Sequence, residues 1–172
     1  MTAYQPCHDA FIRYCSALAY GKMDTEDLVQ DVLLSAYTHF DKIKKKDQLL
    51  HYLVRAARNR SVSFLRRKKF KAEWLERHDD HLRSQGISPE TLLDIQLLQR
   101  MLDKLPKKQK HAILLFEISG FSMREIAAIQ HSTEGAVKTR ISRGRKRLRH
   151  LMSDTAASQP VTHILRTVKT IL

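Results

Sequence analysis

The chain has 172 residues, enough for one domain or two small ones, and its formal net charge of +13 calls for a polyanionic partner. Hydrophobic content of 42% supports a real core, while 7% aromatic residues and five Gly suit small helical domains. No apolar run is long enough to span a bilayer, the opening MTAYQPCHDAFIRYC lacks the basic-then-apolar pattern of a secretory signal, and Cys7 and Cys15 form no CxxC pair, so reduced thiols in a cytoplasmic protein are expected.

Phe11, Cys15 and Leu18 recur at helical spacing and predict a first helix ending near Gly21. Asp24 is placed to cap the next helix. There Leu28, Val29, Val32, Leu33, Ala36, Tyr37 and Phe40 form a broad apolar face, and Glu26, Asp27, Gln30 and Asp31 lie outside it. Acidic residues in a first turn compensate the helix dipole. In so basic a chain they also read as a docking surface for a basic partner. A basic loop, Lys42 to Lys46, leads into a long helical pattern from about Gln48 to Lys71. Its buried side is marked by Leu50, Leu53, Val54, Ala57, Phe64 and Leu65. The remainder is crowded with Arg55, Arg58, Arg60, Arg66, Arg67, Lys68, Lys69 and Lys71, which repel one another unless phosphates neutralise them. Tyr52, Phe64 and Phe70 are interleaved among them, as core residues or as platforms for an unpaired base.

From Ala72 to Ser88 the pattern loosens into a linker. His78, Asp79, Asp80 and His81 lie in it as consecutive residues with no second cluster, which argues against a metal site. A second domain starts at Ser88 as cap, with Pro89 at the first helical position and Glu90 after it. Leu92, Ile95, Leu98, Leu102 and Leu105 line that helix. Pro106 opens another, carrying Ile113, Leu114, Leu115, Phe116 and Ile118, with Gly120 as its stop.

The stretch from Ser122 to Arg149 reads as two helices broken by a tight turn. Ser122 and Glu125 are spaced as a capping box, with Phe121 and Ile126 as its hydrophobic staple. Ile126, Ala127 and Ile129 give the first helix an apolar face. Ser132 is expected to cap the second, with Glu134 in its first turn. Val137, Ile141, Gly144 and Leu148 then fall on one side, and Lys138, Thr139, Ser142, Arg143, Lys146 and Arg149 on the other. A helix docked by one stripe and cationic on the other fits the DNA major groove, as in a helix-turn-helix. After a spacer, Val161, Ile164, Leu165, Val168, Ile171 and Leu172 form a last amphipathic stripe, expected to pack back on its own chain.

The order DTEDLVQDVLLSAYTHF, LLHYLVRAARNRSVSFLRR and LDKLPKKQKHAILLFEISGFSMREIAAIQHSTEGAVKTRISRGRKRLRHL resembles the bacterial sigma factors of the extracytoplasmic function group, within the sigma-70 family. The resemblance spans about Phe11 to Leu151. It implies an all-α fold of two small helical domains, with region 2 over 1–72, a linker over 73–88 and region 4 over 89–153; the C-terminal stripe adds an extra helix over 154–172 that lies beyond the common pattern. By the same resemblance, Asp27, Leu28, Gln30, Asp31 and Val32 match the segment that docks on the β′ clamp helices of core RNA polymerase. Arg55, Asn59, Arg60, Arg66 and Arg67 match the segment holding the −10 strand, and the Lys42–Asp47 loop the element capturing a flipped base. Lys138, Thr139, Arg140, Ser142, Arg143 and Lys146 fall on the −35 reading helix, and region 4 also meets the polymerase β flap. Promoter DNA, core polymerase and an anti-sigma factor are the implied partners, with no cofactor and no membrane insertion. Three positions depart from the usual pattern: Tyr52 for Trp, Ser63 for Asp and His131 for a turn Gly. The chain also lacks room for the extra domains of a housekeeping sigma factor. A stand-alone helix-turn-helix regulator would leave the Arg55–Lys71 cluster and the acidic helix without a role. A nucleic-acid enzyme would need paired catalytic carboxylates, a Ser/His/Asp set, a phosphate-cradling Gly loop or zinc-ligand spacing, none of which the sequence offers.

Overall fold

Caps and apolar stripes place the helices much where the sequence puts them, in a computed structural model that describes residues 4–40, 49–67 and 86–153, the side chains of 65–67 excepted. The chain divides into two compact units, Met1–His78 and Asp79–Leu172. Among the described residues all regular structure is helical. The Lys42–Asp47 loop, Lys68, Lys69, Phe70 and Lys71, the His78–His81 run and the C-terminal stripe lie outside the described residues.

In the first unit a short 3-10 turn, Gln5–Cys7, precedes α1 (His8–Ala19), followed by α2 (Thr25–Thr38) and α3 (Leu49–Arg67). Gly21 turns the chain between α1 and α2 at φ +63°, a conformation that costs a residue with a Cβ. Asp24 then caps α2 as expected: its Oδ1 accepts from the amides of Glu26 at 2.8 Å and Asp27 at 3.1 Å. The three helices pack pairwise. Phe11, Tyr14, Cys15 and Ala17 of α1 and Leu53, Val54 and Ala57 of α3 are fully buried, and Leu28, Val32 and Ala36 of α2 close the core. The inner stripe of α2 is narrower than its sequence suggests. Tyr37, expected on the apolar face, is 82% exposed. Leu28, Val32 and Ala36 keep the four-residue rhythm that faces α3, and the next residue lies about 100° further round the helix.

In the second unit α4 (Pro89–Asp103) begins with Ser88 accepting from the Thr91 amide at 3.3 Å, and buries Leu92, Ile95, Leu98 and Leu102. Next comes α5 (Lys107–Ile113), which runs on as a π-turn segment, Leu114–Ile118. There the Ser119 amide and hydroxyl both donate to the Leu114 carbonyl, at 3.0 and 3.1 Å, so the wider turn leaves that carbonyl satisfied. Gly120 at φ +78° ends the segment. Next come α6 (Met123–Gln130) and α7 (Glu134–Ser153). The capping box at the start of α6 is complete: the Glu125 amide donates to Ser122 Oγ at 3.3 Å, and the Ser122 amide to Glu125 Oε2 at 2.8 Å.

Candidate nucleic-acid interface

The interface in the second unit is built from the turn between α6 and α7. His131 closes α6 in the left-handed region at φ +49°, ψ +56°. The Ser132 amide reaches back to the Ala127 carbonyl at 3.0 Å, which satisfies the end of α6. His takes this conformation more readily than most residues with a Cβ. The cap of α7 is Thr133 and not Ser132. Thr133 Oγ1 accepts from the Ala136 amide at 3.2 Å, whereas the Ser132 hydroxyl accepts from Arg140 Nη1 at 2.7 Å. With His131 already reversing the chain, the helix begins one residue later than its first hydroxyl suggests.

One stripe of α7 docks: Val137, Ile141, Gly144, Leu148 and Met152 are buried. Gly144 permits the close approach to α5, since a Cβ there would lie 3.0 Å from Ile113 Cγ1. On the opposite face Lys138, Thr139, Ser142, Arg143, Lys146 and Arg149 are all exposed. Thr139 Oγ1 donates to the Gly135 carbonyl at 2.9 Å, which leaves its lone pairs able to accept. Arg145 is held apart from this set: its Nε donates to Glu117 Oε1 at 2.5 Å and its guanidinium lies 5.6 Å from the Phe116 ring centroid. Arg140 is half-buried, and its Nη1 donates to both Gln130 Oε1 and Ser132 Oγ.

In the first unit Arg55, Arg58, Asn59 and Arg60 are exposed on α3, and Val62 joins them at 41% exposure. Arg66 and Arg67 occupy the same helix seven residues, about two turns, beyond Asn59 and Arg60, with their side chains outside the description. On α2 the exposed face carries Asp27, Gln30 and Asp31. Leu28 and Val32, assigned to a docking surface by resemblance, are each only 2% exposed. They are inner-stripe residues that fix α2 in its core, and each reaches the surface only at the edge of a groove between α2 and α3. The face they support extends instead through Leu34, 64% exposed, and Tyr37. Leu34 lies four residues from Gln30 and three from Asp31, and Tyr37 three from Leu34, spacings that put both on this face although their apolar type hides it in the sequence. Asp31 Oδ2 accepts from Arg60 Nε at 3.1 Å, with both side chains 55% exposed. A pair so open contributes about 0–1 kcal/mol, and either member is available to a stronger partner. Beside it a groove of about 540 Å³ runs between α2 and α3, lined by Asp31, Ser35, Asn59, Arg60, Ser63 and Phe64 among others.

No group of His, Cys, Asp and Glu suited to a metal occurs among the described residues. No helix among them is long and apolar enough to cross a membrane.

Comparison with known proteins gives both units a counterpart. Residues 3–71 match the family model described as Sigma-70 region 2, and residues 95–148 that described as Sigma-70, region 4. The ECF RNA polymerase sigma factor EcfG of Rhodopseudomonas palustris (strain TIE-1) is 32% identical over 128 residues, covering 74% of this chain and 70% of that protein. The ECF RNA polymerase sigma factor SigW of Bacillus subtilis (strain 168) is 30% identical over 158 residues, covering 85% of this chain and 84% of the relative. Among solved structures, the sigma factor RpoE in complex with the anti-sigma factor NepR from Bartonella quintana is similar at a TM-score of 0.62 and 28% identity, covering 88% of this chain and 95% of that one. CnrH in complex with the cytosolic domain of CnrY shares the fold, with a TM-score of 0.65 at 21% identity over 89% of this chain and 86% of that one.

Proposed function

Because the chain belongs to the extracytoplasmic function group of the sigma-70 family, we propose that it acts as a sequence-specific initiation factor through the exposed residues of α2, α3 and α7. The observation that carries this reading is the division of α7. Its apolar stripe is consumed in docking, while Lys138, Thr139, Ser142, Arg143 and Lys146 stand free on a helix of groove-reading size. Arg143 is the base reader, its guanidinium able to take guanine O6 and N7 together, and Lys146 a phosphate contact. Arg55, Asn59, Arg60, Arg66 and Arg67 hold the −10 strand, whose negative charge relieves the mutual repulsion of the arginines. Asp27, Gln30 and Asp31 dock on the β′ clamp helices of core polymerase, with Leu28 and Val32 as their support. Unit two also meets the β flap.

In this reading the boundaries are region 2 over 1–72, a linker over 73–88, region 4 over 89–153 and a C-terminal extension over 154–172. The factor works in the cytoplasm and has no catalytic activity of its own. It supplies sequence reading and strand capture to the polymerase's chemistry. An anti-sigma factor is a further partner, a reading supported by the likeness to a sigma factor solved with one. The test is run-off transcription from a candidate promoter by core polymerase with and without this chain. Initiation only with the chain present is the expected result. Equal initiation without it, or binding of the promoter by the chain that core polymerase does not enhance, overturns the reading.

A further inference from the structure

The Arg140 side chain lies on the reading helix but points at its own protein. Nη1 donates to Gln130 Oε1 at 2.6 Å and to Ser132 Oγ at 2.7 Å, short bonds of the charge-assisted kind. Gln130 is the last residue of α6, and Ser132 lies in the turn. Gln130 passes the connection on, since its Nε2 donates to the Lys108 carbonyl of α5 at 3.3 Å. Two side chains thus join three helices: Arg140 ties α7 to the turn and to α6, and Gln130 ties α6 to α5. Between the two residues that Arg140 grips sits His131, at φ +49°. A residue with a Cβ holds that conformation only when its surroundings impose it.

We propose that Arg140 is a positioning residue for −35 recognition: it sets the rotation of α7 about its own axis, through Gln130 and Ser132, and makes no base contact. The geometry explains why a helix already docked by Val137, Ile141 and Leu148 needs such a tie. Branched aliphatic contacts resist separation of the helices but resist rotation weakly, because dispersion is non-directional. A hydrogen-bonded fork is directional. Side-chain tips lie about 6 Å from a helix axis, so a rotation of about 10° shifts them by about 1 Å. A shift of that size takes Arg143 out of bidentate register with a base while leaving Lys138 and Lys146 within reach of phosphates. Arg140 therefore governs discrimination between sequences more than total affinity.

This inference rests on the −35 reading proposed above, and its test separates the two. Holoenzyme assembled from core polymerase and the full chain is first used to select a preferred −35 duplex from a randomised pool. Binding of that duplex and of single-base variants is then measured across a salt series. The chains compared are wild type, Arg140→Ala, Arg140→Lys, Gln130→Ala and the Arg140→Ala/Gln130→Ala double variant. If the wild type selects nothing, the −35 reading itself fails. If it selects, Arg140→Ala is expected to lose tenfold or more in discrimination, spread over several base pairs, with an unchanged salt slope. Gln130→Ala should reproduce most of that loss, and the double variant should lose no more than Arg140→Ala. Arg140→Lys, which retains a donor for both oxygens, should recover most of it. Melting temperatures identify any variant that fails to fold, in which case Gln130→Ala and Arg140→Lys decide. Loss at a single base pair with Gln130→Ala unaffected makes Arg140 a direct reader. An even loss with a shallower salt slope makes it a phosphate contact. Either outcome, or no effect of any variant, overturns the proposal.

Discussion

Gly144 offers the sharpest test of how α7 is seated. It is buried within the helix, where alanine is normally the better residue by about 1 kcal/mol. Here a Cβ would stand 3.0 Å from Ile113 Cγ1 and 3.3 Å from Ile113 Cδ1, with Gln109 Cβ at 3.8 Å. Carbon atoms prefer about 3.5–4.0 Å, so the two helices or the Ile113 side chain must give by about 0.5 Å. Ile113 is fully buried, so its side chain gives way only by displacing packed neighbours. Overpacking of this kind costs about 1–3 kcal/mol, which outweighs the propensity gain. Gly144→Ala should therefore destabilise by about 1 kcal/mol, or about 4–8 °C for a unit of this size. In an Ile113→Ala background the sign should reverse. The small side chain removes the obstruction, the new methyl refills part of the cavity, and the propensity gain of about 1 kcal/mol emerges. Calorimetry of the full chain, with hydrogen exchange of the α7 amides to localise the effect, provides the four values of this cycle. Stabilisation by Gly144→Ala in the wild-type background, or additivity of the two changes, would refute a packing role for this glycine.

The remaining expectations concern the partners and the first core. Asp31→Lys should weaken core polymerase binding at least tenfold in a titration while leaving the melting temperature within a few degrees, because its pair with Arg60 is exposed; undiminished affinity removes α2 from the docking surface. Arg143→Ala should cost about 1–3 kcal/mol on the preferred −35 duplex and relax one base pair. Lys146→Ala should weaken all sequences alike; equal, even losses in both variants mean that Arg143 does not read. Burial pushes the Cys15 thiol from its ordinary 9.0 up to about 12 and raises Tyr14 as well. The unfolded chain thus releases these protons at lower pH than the folded one, so stability is whole below about pH 9 and should fall as pH rises from there towards 12. Chemical denaturation from pH 8 upward, wild type against Cys15→Ala, should show a shallower alkaline loss in the variant, and identical slopes would count against Cys15 as a source.

Legibility in the sequence tracked the range of the interaction. Helix starts at Asp24, Ser88 and Ser122 were readable because a cap joins groups two or three residues apart. The docking stripe of α7 was readable for the same reason, as was Gly120 as a stop. Even locally, competition between partners decided cases that spacing left open. Ser132 was the first hydroxyl after α6, yet Arg140 claims it and Thr133 becomes the cap.

What the sequence determined by itself was the all-helical division, the cationic face of α7 and the acidic face of α2, since periodicity and capping are properties of a few consecutive residues. Only the tertiary structure decided which members of each face meet solvent. On the apolar face of α2, Leu28 and Val32 went inward as their period implies but Tyr37 outward, because burial depends on where α3 touches α2 and not on side-chain type alone. The same holds for the cations. Arg60, Arg140 and Arg145 look alike in sequence, but Asp31 lies 29 residues from Arg60 and Glu117 lies 28 from Arg145, while Gln130 stands across the turn from Arg140. Those partners come close only when the helices pack, and packing ties Arg140 and Arg145 within the protein while the exposed pair of Arg60 with Asp31 stays open to another molecule.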